Sequence, residues 1–365
     1  MFNRRNYYRI RAKHSNDYVE VKKYVQYPGT GDVIERSEKQ AGEHLFQEIK
    51  ADVDGQKFVI LPIDDLNYYI LPKGTPFVLD VSKEWSDRLF GLPPVITWRI
   101  TGGDNQKFRL IGHESPGGIE CTVESAESLK VWDVKGASLK RFARLTVYTD
   151  YKASNQRFIF EPDGTLELRE LVPGKDEIRM PPELKAGDPV PSQGEAWILG
   201  EAYLPCLAVN DSFPTVEEKL VKSPWYVLSR RRYWKAEKSF TFLKGVGESH
   251  EIEIKAGFER ETRRTIENTF EMRIGPSINS ASKKGGAFAN QVNVQLRITS
   301  EYVDKTYGEK TVIERVTHAA EEPSKTVVVW VLVDEYVLER MTGAVVGRWS
   351  SRVASHVRKA TIPTP

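Results

Sequence analysis

The sequence predicts an all-β protein in two parts, a threefold-repeated N-terminal β-trefoil and an elongated C-terminal β-domain. Three observations carry this prediction. A Gln-basic-Phe tripeptide recurs at equal spacing through the first 162 residues. Residues 266–302 alternate apolar and polar side chains in two long runs. Between these regions lies a seam dense in proline, which cannot hold a regular ladder.

The repeat comes first in the chain. Gln56-Lys57-Phe58 returns as Gln106-Lys107-Phe108 and as Gln156-Arg157-Phe158, fifty residues apart each time. Upstream of each stands an apolar–apolar–acid–Val element: Tyr18-Val19-Glu20-Val21, Val78-Leu79-Asp80-Val81 and Val131-Trp132-Asp133-Val134. One lobe of short strands cannot bury its own apolar face, whereas three can close a common barrel. The segment Tyr27 to Gly42, rich in Gly, Pro and charge, reads as an insertion loop in the first lobe.

These residues resemble the ricin-type lectin trefoil, whose lobes carry an acid-Val element followed by Gln-x-aromatic. The resemblance implies that Gln and the aromatic are structural, and that the acid, with an Asn before the Gln, holds sugar hydroxyls. Carried over by position, lobe two keeps Asp80, Asn105 and Gln106, and lobe three keeps Asp133, Asn155 and Gln156. Lobe one has Glu20 and Gly55, so its pocket is expected to be lost. Trp98 and Tyr148 each stand eight residues before their Gln and would offer an aromatic face to a sugar ring. A purely structural role for the same acid–amide pairs remains open beside the sugar-binding one.

The seam holds Pro173, Pro181, Pro182, Pro189 and Pro191 and predicts an extended strap. The expected boundary falls near Asp163, giving a receptor-binding trefoil over residues 1–162 and a second domain over 163–365 that includes the strap. After it come Pro205-Cys206, Val209-Asn210-Asp211, Ser223-Pro224-Trp225-Tyr226 and a basic segment ending in Tyr233-Trp234. This set is similar to the Bin-like insecticidal toxin family, binary and crystal toxins that join a lectin-like trefoil to an aerolysin-type pore-forming domain. The similarity weakens after about residue 305. It implies a toxin made in a bacterium without a signal peptide and acting at the insect gut cell membrane. Its implied partners are a surface glycan or glycoprotein, the lipid membrane, further copies of the chain and, for many members, a second toxin protein.

The 266–302 stretch would then be the inserting hairpin. Apolar residues fall on even numbers, including Met272, Ile274, Ile278, Val292, Val294, Leu296 and Ile298, and polar ones mostly on odd numbers. Period-two alternation over two runs separated by Lys283-Lys284-Gly285-Gly286 reads as a hairpin. Its arms exceed the ~9–11 residues that cross a bilayer as a strand. The even residues would face lipid, and an odd-length tip loop would keep them opposite one another. Pro276 interrupts the first arm, because it cannot donate to a ladder.

The remaining composition excludes more than it suggests. A net charge of +2 and a mean hydropathy of −0.46 argue against a nucleic-acid binder. Arg230-Arg231-Arg232 is expected to be a solvated strand face. Cys121 and Cys206 are two cysteines, expected as buried free thiols with no metal site. The six histidines show no ligand spacing, no nucleophile or phosphate-loop motif stands out, and no cofactor is implied. A toxin is therefore expected rather than an enzyme. The alternatives are a non-lytic lectin or defence protein and a carbohydrate-active enzyme with a trefoil appendage.

Overall fold

The computed structural model describes residues 2–27, 31–63, 66–83, 91–113, 119–211, 215–257 and 310–363. They group into two compact units. The first comprises Met1–Arg169 with Pro205–Leu207 and Ser212–Pro224, and the second Glu170–Leu204 with Ala208–Asp211 and Trp225–Pro365.

Unit one is built from β1 (Asn6–Ala12), β2 (Tyr18–Tyr27), β3 (Gly31–Arg36), β4 (His44–Glu48) and β5 (Phe58–Pro62), then β6 (Asn67–Pro72), β7 (Val78–Val81), β8 (Val95–Trp98) and β9 (Phe108–His113), then β10 (Ile119–Ser125), β11 (Val131–Val134), β12 (Leu145–Tyr148) and β13 (Phe158–Thr165). Pairing closes a ring: β1 with β5, β5 with β6, β6 with β9, β9 with β10, β10 with β13, and β13 back to β1. Three strand pairs cap it, β2 with β4, β7 with β8 and β11 with β12. This is the β-trefoil. Closing the ring removes the exposed edges that short strands would otherwise leave.

The repeated phenylalanines explain the closure. Phe58, Phe108 and Phe158 are all fully buried in one core with Trp132, Leu79 and Val19. Trp132 meets Phe108 and Phe158 edge-on at 5.5 and 5.7 Å. Cys121 also lies in this core as a free thiol, which burial pushes up to about 12. The insertion in lobe one is not a loop. β3 pairs with β2 from Lys22↔Arg36 to Tyr27↔Gly31, so it is a β-ribbon prolonging the cap strand.

Unit one also contains α1 (Val216–Lys222), which sequence periodicity does not announce. Thr215 caps it: its side chain accepts from the Glu218 N–H, and the Glu218 carboxylate accepts from the Thr215 N–H. That reciprocal pair satisfies two helix-start donors.

Unit two is an antiparallel sheet in the order β14 (Trp197–Pro205), β15 (Trp225–Phe242), β18 (Lys325–Arg340) and β19 (Val345–Pro363), with a separate pair β16 (Glu248–Ala256) and β17 (Lys310–His318). β15, β18 and β19 run 18, 16 and 19 residues, about three times a common strand. β18 explains why Val327–Val333 is continuously apolar, since both of its faces are covered. Val328, Trp330 and Leu332 pack with Trp197, Leu199 and Trp234, and against Leu184 and Val190 of the proline-rich segment. Val327, Val329 and Val331 pack with Phe240, Phe242, Ile252, Ile254 and Val316. A strand buried on both sides loses the alternation of a half-buried one.

The proline-rich segment is an extended strap tied to this sheet. Lys175 N–H donates to Leu199 O, Gly194 N–H to Trp234 O, and the Trp197 and Trp234 indoles to Glu177 O and Arg179 O. The basic run on β15 corrects the expectation of a solvated face. Arg230 and Arg232 alternate inward with Trp234 and are buried, while Arg231 is turned outward. Both converge on Asp334 of β18, which is fully buried. The contacts are 2.5 Å from Arg230 Nη2 and 2.6 and 3.1 Å from Arg232 Nε and Nη2.

Candidate functional site

The three lobes place their site residues in one shared register. Tyr18 faces Glu48 in lobe one, Val78 faces Trp98 in lobe two and Val131 faces Tyr148 in lobe three. The acids Glu20, Asp80 and Asp133 follow two residues later on the same strands. Each repeated Gln sits in a short 3-10 turn (Asp54–Gln56, Asp104–Gln106, Ser154–Gln156) that presents it to its acid.

Lobe two shows the arrangement in full. Gln106 Nε2 donates to Asp80 Oδ2 (2.9 Å) and Arg99 O (2.7 Å), and its Oε1 accepts from Thr101 N–H (2.8 Å). Asn105 Nδ2 donates to Asp80 Oδ1 (2.9 Å) and Val81 O (3.3 Å). Gln106 is fully buried, so it positions the acid instead of facing solvent. Asp80, Asn105 and Trp98 line one cleft of about 300 Å³ with Thr101, Gly103 and Lys83. Trp98 is 40% exposed. Gly103 keeps this cleft in shape, because a Cβ there would lie 2.5 Å from Asn105 Oδ1. Burial drives the Asp80 carboxyl up to about 6, although the Gln106 and Asn105 amides pull the other way.

Lobe three repeats the pattern. Gln156 Nε2 donates to Asp133 Oδ2 (2.9 Å) and Thr149 O (2.9 Å), and Gln156 Oε1 accepts from Tyr151 N–H (2.9 Å). Asn155 Nδ2 donates to Asp133 Oδ2 and Val134 O, both at 3.1 Å. Burial again raises the acid, here Asp133. Tyr148 is 38% exposed and lies 5.7 Å from the Tyr151 ring. An acid held from behind by amides, beside an exposed aromatic face, can accept sugar hydroxyls while a ring packs on the aromatic.

Lobe one lacks the Asn and the aromatic of the other two lobes but keeps a cavity of its own. Gln56 keeps its structural bonds, donating to Glu20 Oε2 and Ile49 O (both 2.7 Å) and accepting from Ala51 N–H (2.9 Å). Gly55 replaces the Asn and Glu48 the aromatic, yet a cavity of about 300 Å³ remains beside Glu20 and Gly55. Its walls are charged. Lys22 Nζ lies 3.0 Å from Glu20 and 3.4 Å from Glu48, and Arg141 also pairs with Glu48. The root of the ribbon adds Arg36 to the lining, which single-lobe motif matching does not reveal.

The candidate hairpin residues Met272, Ile274, Ile278, Lys283, Lys284, Gly285, Gly286, Val292, Val294, Leu296 and Ile298 lie outside the described residues. The strands on either side of them are described. β16 and β17 pair even number with even number, Ala256 with Lys310 and Ile254 with Val312. Ile252, Ile254, Ala256 and Val316 are buried, and Glu251, Glu253 and Lys255 are exposed.

Residues 197–361 match the family model described as insecticidal crystal toxin P42. BinA of Lysinibacillus sphaericus, a binary larvicide subunit, is 24% identical over 308 residues, which cover 82% of this chain and 78% of BinA. Over these stretches the chain is similar to the Bin-like insecticidal crystal toxins. The crystal structure of Cry35Ab1 is similar in fold over 99% of this chain and 90% of that one, with a TM-score of 0.57 and 15% identity. The family match runs past residue 305 to 361 and so takes in β18 and β19. Both of these sequence matches are to insecticidal toxins and neither is to an enzyme.

The residues that suggested the family turn out to be structural fasteners. Asp211 takes Arg340 Nε and Nη2 at 2.7 and 2.9 Å and the Tyr226 hydroxyl at 2.9 Å, clamping the Val-Asn-Asp segment to β15 and β18. Cys206 N–H donates to Pro224 O (2.9 Å), and its free thiol is fully buried. Burial pushes that thiol up to about 12. Sequence reasoning missed Asp334, Asp176 and the lobe-one cations. The period-two phase of β15, which puts Arg230 and Arg232 on the Trp234 side, is the signal that points to Asp334.

Proposed function

We propose that this chain is an insecticidal toxin that binds a target-cell glycan through its trefoil and permeabilises the membrane by inserting a β-hairpin. The glycan contacts are Asp80, Asn105 and Trp98 in lobe two and Asp133, Asn155 and Tyr148 in lobe three, with Gln106 and Gln156 holding the acids in place. The observation that carries this reading is the repeated pairing of a buried, amide-held acid with an exposed aromatic in one register, inside a chain similar to insecticidal crystal toxins.

The inserting segment in this proposal is about 266–302, its even residues toward lipid and its odd residues toward the lumen. The even-with-even register of β16 and β17 supports it, because the same phase continued inward keeps Ile274, Val292, Val294 and Leu296 on one face. A strand crossing lipid must pair all its backbone groups, so several copies would each contribute one hairpin to a closed barrel. The relative BinA is one subunit of a binary larvicide, and we extend to this chain a requirement for a second toxin protein. The domain division behind this reading is a receptor-binding trefoil over about 1–162 and a pore-forming domain after it.

Dye release from vesicles carrying gut-membrane glycolipids tests the proposal. Release is expected from the chain with its partner, and an Asp80→Ala/Asp133→Ala double variant should release far less. Glycan binding by the wild type without any release would instead identify a non-lytic lectin.

A further inference from the structure

We propose that the lobe-one cavity is a second, chemically distinct site that binds the carboxylate or sulfate group of an acidic saccharide. The inference concerns unit one alone and holds whether or not the chain forms pores. Lobes two and three put Asp, Asn and an aromatic at three equivalent positions. Lobe one has Glu20, Gly55 and Glu48 there, and the cavity survives the exchange.

The exchange alters the charge. Five cations line the cavity: Lys22, Arg36, Lys39, Lys73 and Arg141. Three carboxylates share it with them, which leaves a surplus of positive charge. Glu20 and Glu48 are taken by Lys22 and Arg141, as described above. Asp54 is shared between Lys39 at 3.3 Å and Lys73 at 3.1 Å. Arg36, at the end of the β3 ribbon, has no ion pair among the described residues. One carboxylate between two lysines and an arginine without a counter-charge leave donors for an incoming anion, to which a guanidinium bonds through paired N–H groups.

The local backbone fits this use. Gly74, at φ +67, lies so close to Lys39 Nζ that a Cβ there would stand 3.1 Å from it, so the glycine admits both the turn and the lysine. Gly55 has no side chain where Asn105 and Asn155 stand in the other lobes, and a Cβ there would lie 3.1 Å from Val21 O. Among the described residues, the ribbon that supplies Arg36 is present only in lobe one. Acid and Gln are 36 residues apart there, against 26 and 23 in lobes two and three. The site therefore gained cations by insertion while keeping its register.

The test is calorimetric titration of the full chain with three soluble probes of matched size: a sulfated trisaccharide, a sialylated trisaccharide and a neutral trisaccharide. Inorganic sulfate and anionic phospholipid vesicles serve as competitors. Saturable binding of the sulfated or sialylated probe is expected, weakening as salt is raised. An Arg36→Gln/Lys73→Gln variant with wild-type melting temperature should bind that probe about tenfold or more weakly, as fits the loss of two charge-assisted contacts. It should retain the neutral-sugar binding of lobes two and three. Binding of neither acidic probe would overturn the proposal. So would equal binding by the variant, or displacement by inorganic sulfate or lipid at the same concentration as the saccharide.

Discussion

Asp334 concentrates more electrostatic free energy than any surface pair described above, and its loss has a calculable cost. Its carboxylate receives two guanidinium groups whose side chains are 4% and 5% exposed, while its own is 0% exposed. Burial alone would raise its carboxyl. The Arg232 hydrogen bonds and the charges of Arg230 and Arg232 overcome that, so its pKa falls below the ordinary carboxylate range. Asp334→Asn keeps the shape but removes the charge and turns one acceptor into a donor facing donors. Removing one partner of a buried pair costs about 3–5 kcal/mol. Asp176, at 3.0 Å from Arg232 Nη1 and 45% exposed, offsets only a fraction of this. The control is Arg231→Ala on the same strand, whose side chain is 29% exposed and 3.7 Å from Glu339; an exposed pair is worth up to about 1 kcal/mol. Urea unfolding followed by intrinsic tryptophan fluorescence reads both variants. A carboxyl with a lowered folded pKa gives stability that is present above its ordinary 3.8 and lost as pH falls through the folded value. The wild type should therefore lose this increment only below about pH 4, and Asp334→Asn should have no such increment to lose. Equal costs for Asp334→Asn and Arg231→Ala would refute the inward-facing phase of β15.

Three further outcomes follow from the trefoil and its helix. Replacing Gln56, Gln106 or Gln156 by Ala removes at least three hydrogen bonds of a buried side chain in each lobe, so each variant should lose about 2–4 kcal/mol in urea unfolding; a loss below about 1 kcal/mol at any lobe would break the equivalence of the lobes. Asp80 should titrate near pH 6 by carboxyl NMR. Because its folded pKa is raised, the folded state binds the proton more tightly. The Asp80 contribution to stability therefore falls as pH rises from its ordinary 3.8 to about 6, and lobe-two glycan affinity should rise over the same window as the carboxylate forms. A flat profile for both would contradict the assignment. Thr215→Ala should cost about 1 kcal/mol through its lost cap, and circular dichroism should show little change in the strand signal.

The trefoil was legible because each lobe solves the same closure problem with the same residues. Gln56, Gln106 and Gln156 each bind an acid, a carbonyl seven residues back and an N–H five residues back. Such a demand cannot be met by many other side chains, so it recurs visibly. The ribbon was not legible, because Gly29 and Gly31 beside Pro28 read as a loop while Lys22–Tyr27 pairs across them. Arg230 and Arg232 misled for a different reason. Their partner Asp334 stands a hundred residues away in sequence, and a run of charge looks solvated until the opposing strand is known. The lobe-one cavity belongs to the same class, since Lys22, Arg36, Lys73 and Arg141 meet only after β2, β3, β6 and the segment before β12 are assembled. The capping signature Thr215-Val216-Glu217-Glu218 was readable but short, and strand-like segments surround it.

One substitution bears directly on the proposal that a glycan-directed toxin acts by placing a β-hairpin through lipid. Leu296→Arg puts a charge on the proposed lipid face, at a cost of ~2–4 kcal/mol near the bilayer midplane. Dye release from glycolipid-bearing vesicles, measured beside glycan binding by the same samples, reads the effect. Full glycan binding with release abolished is the expected result. Undiminished release by Leu296→Arg would contradict it.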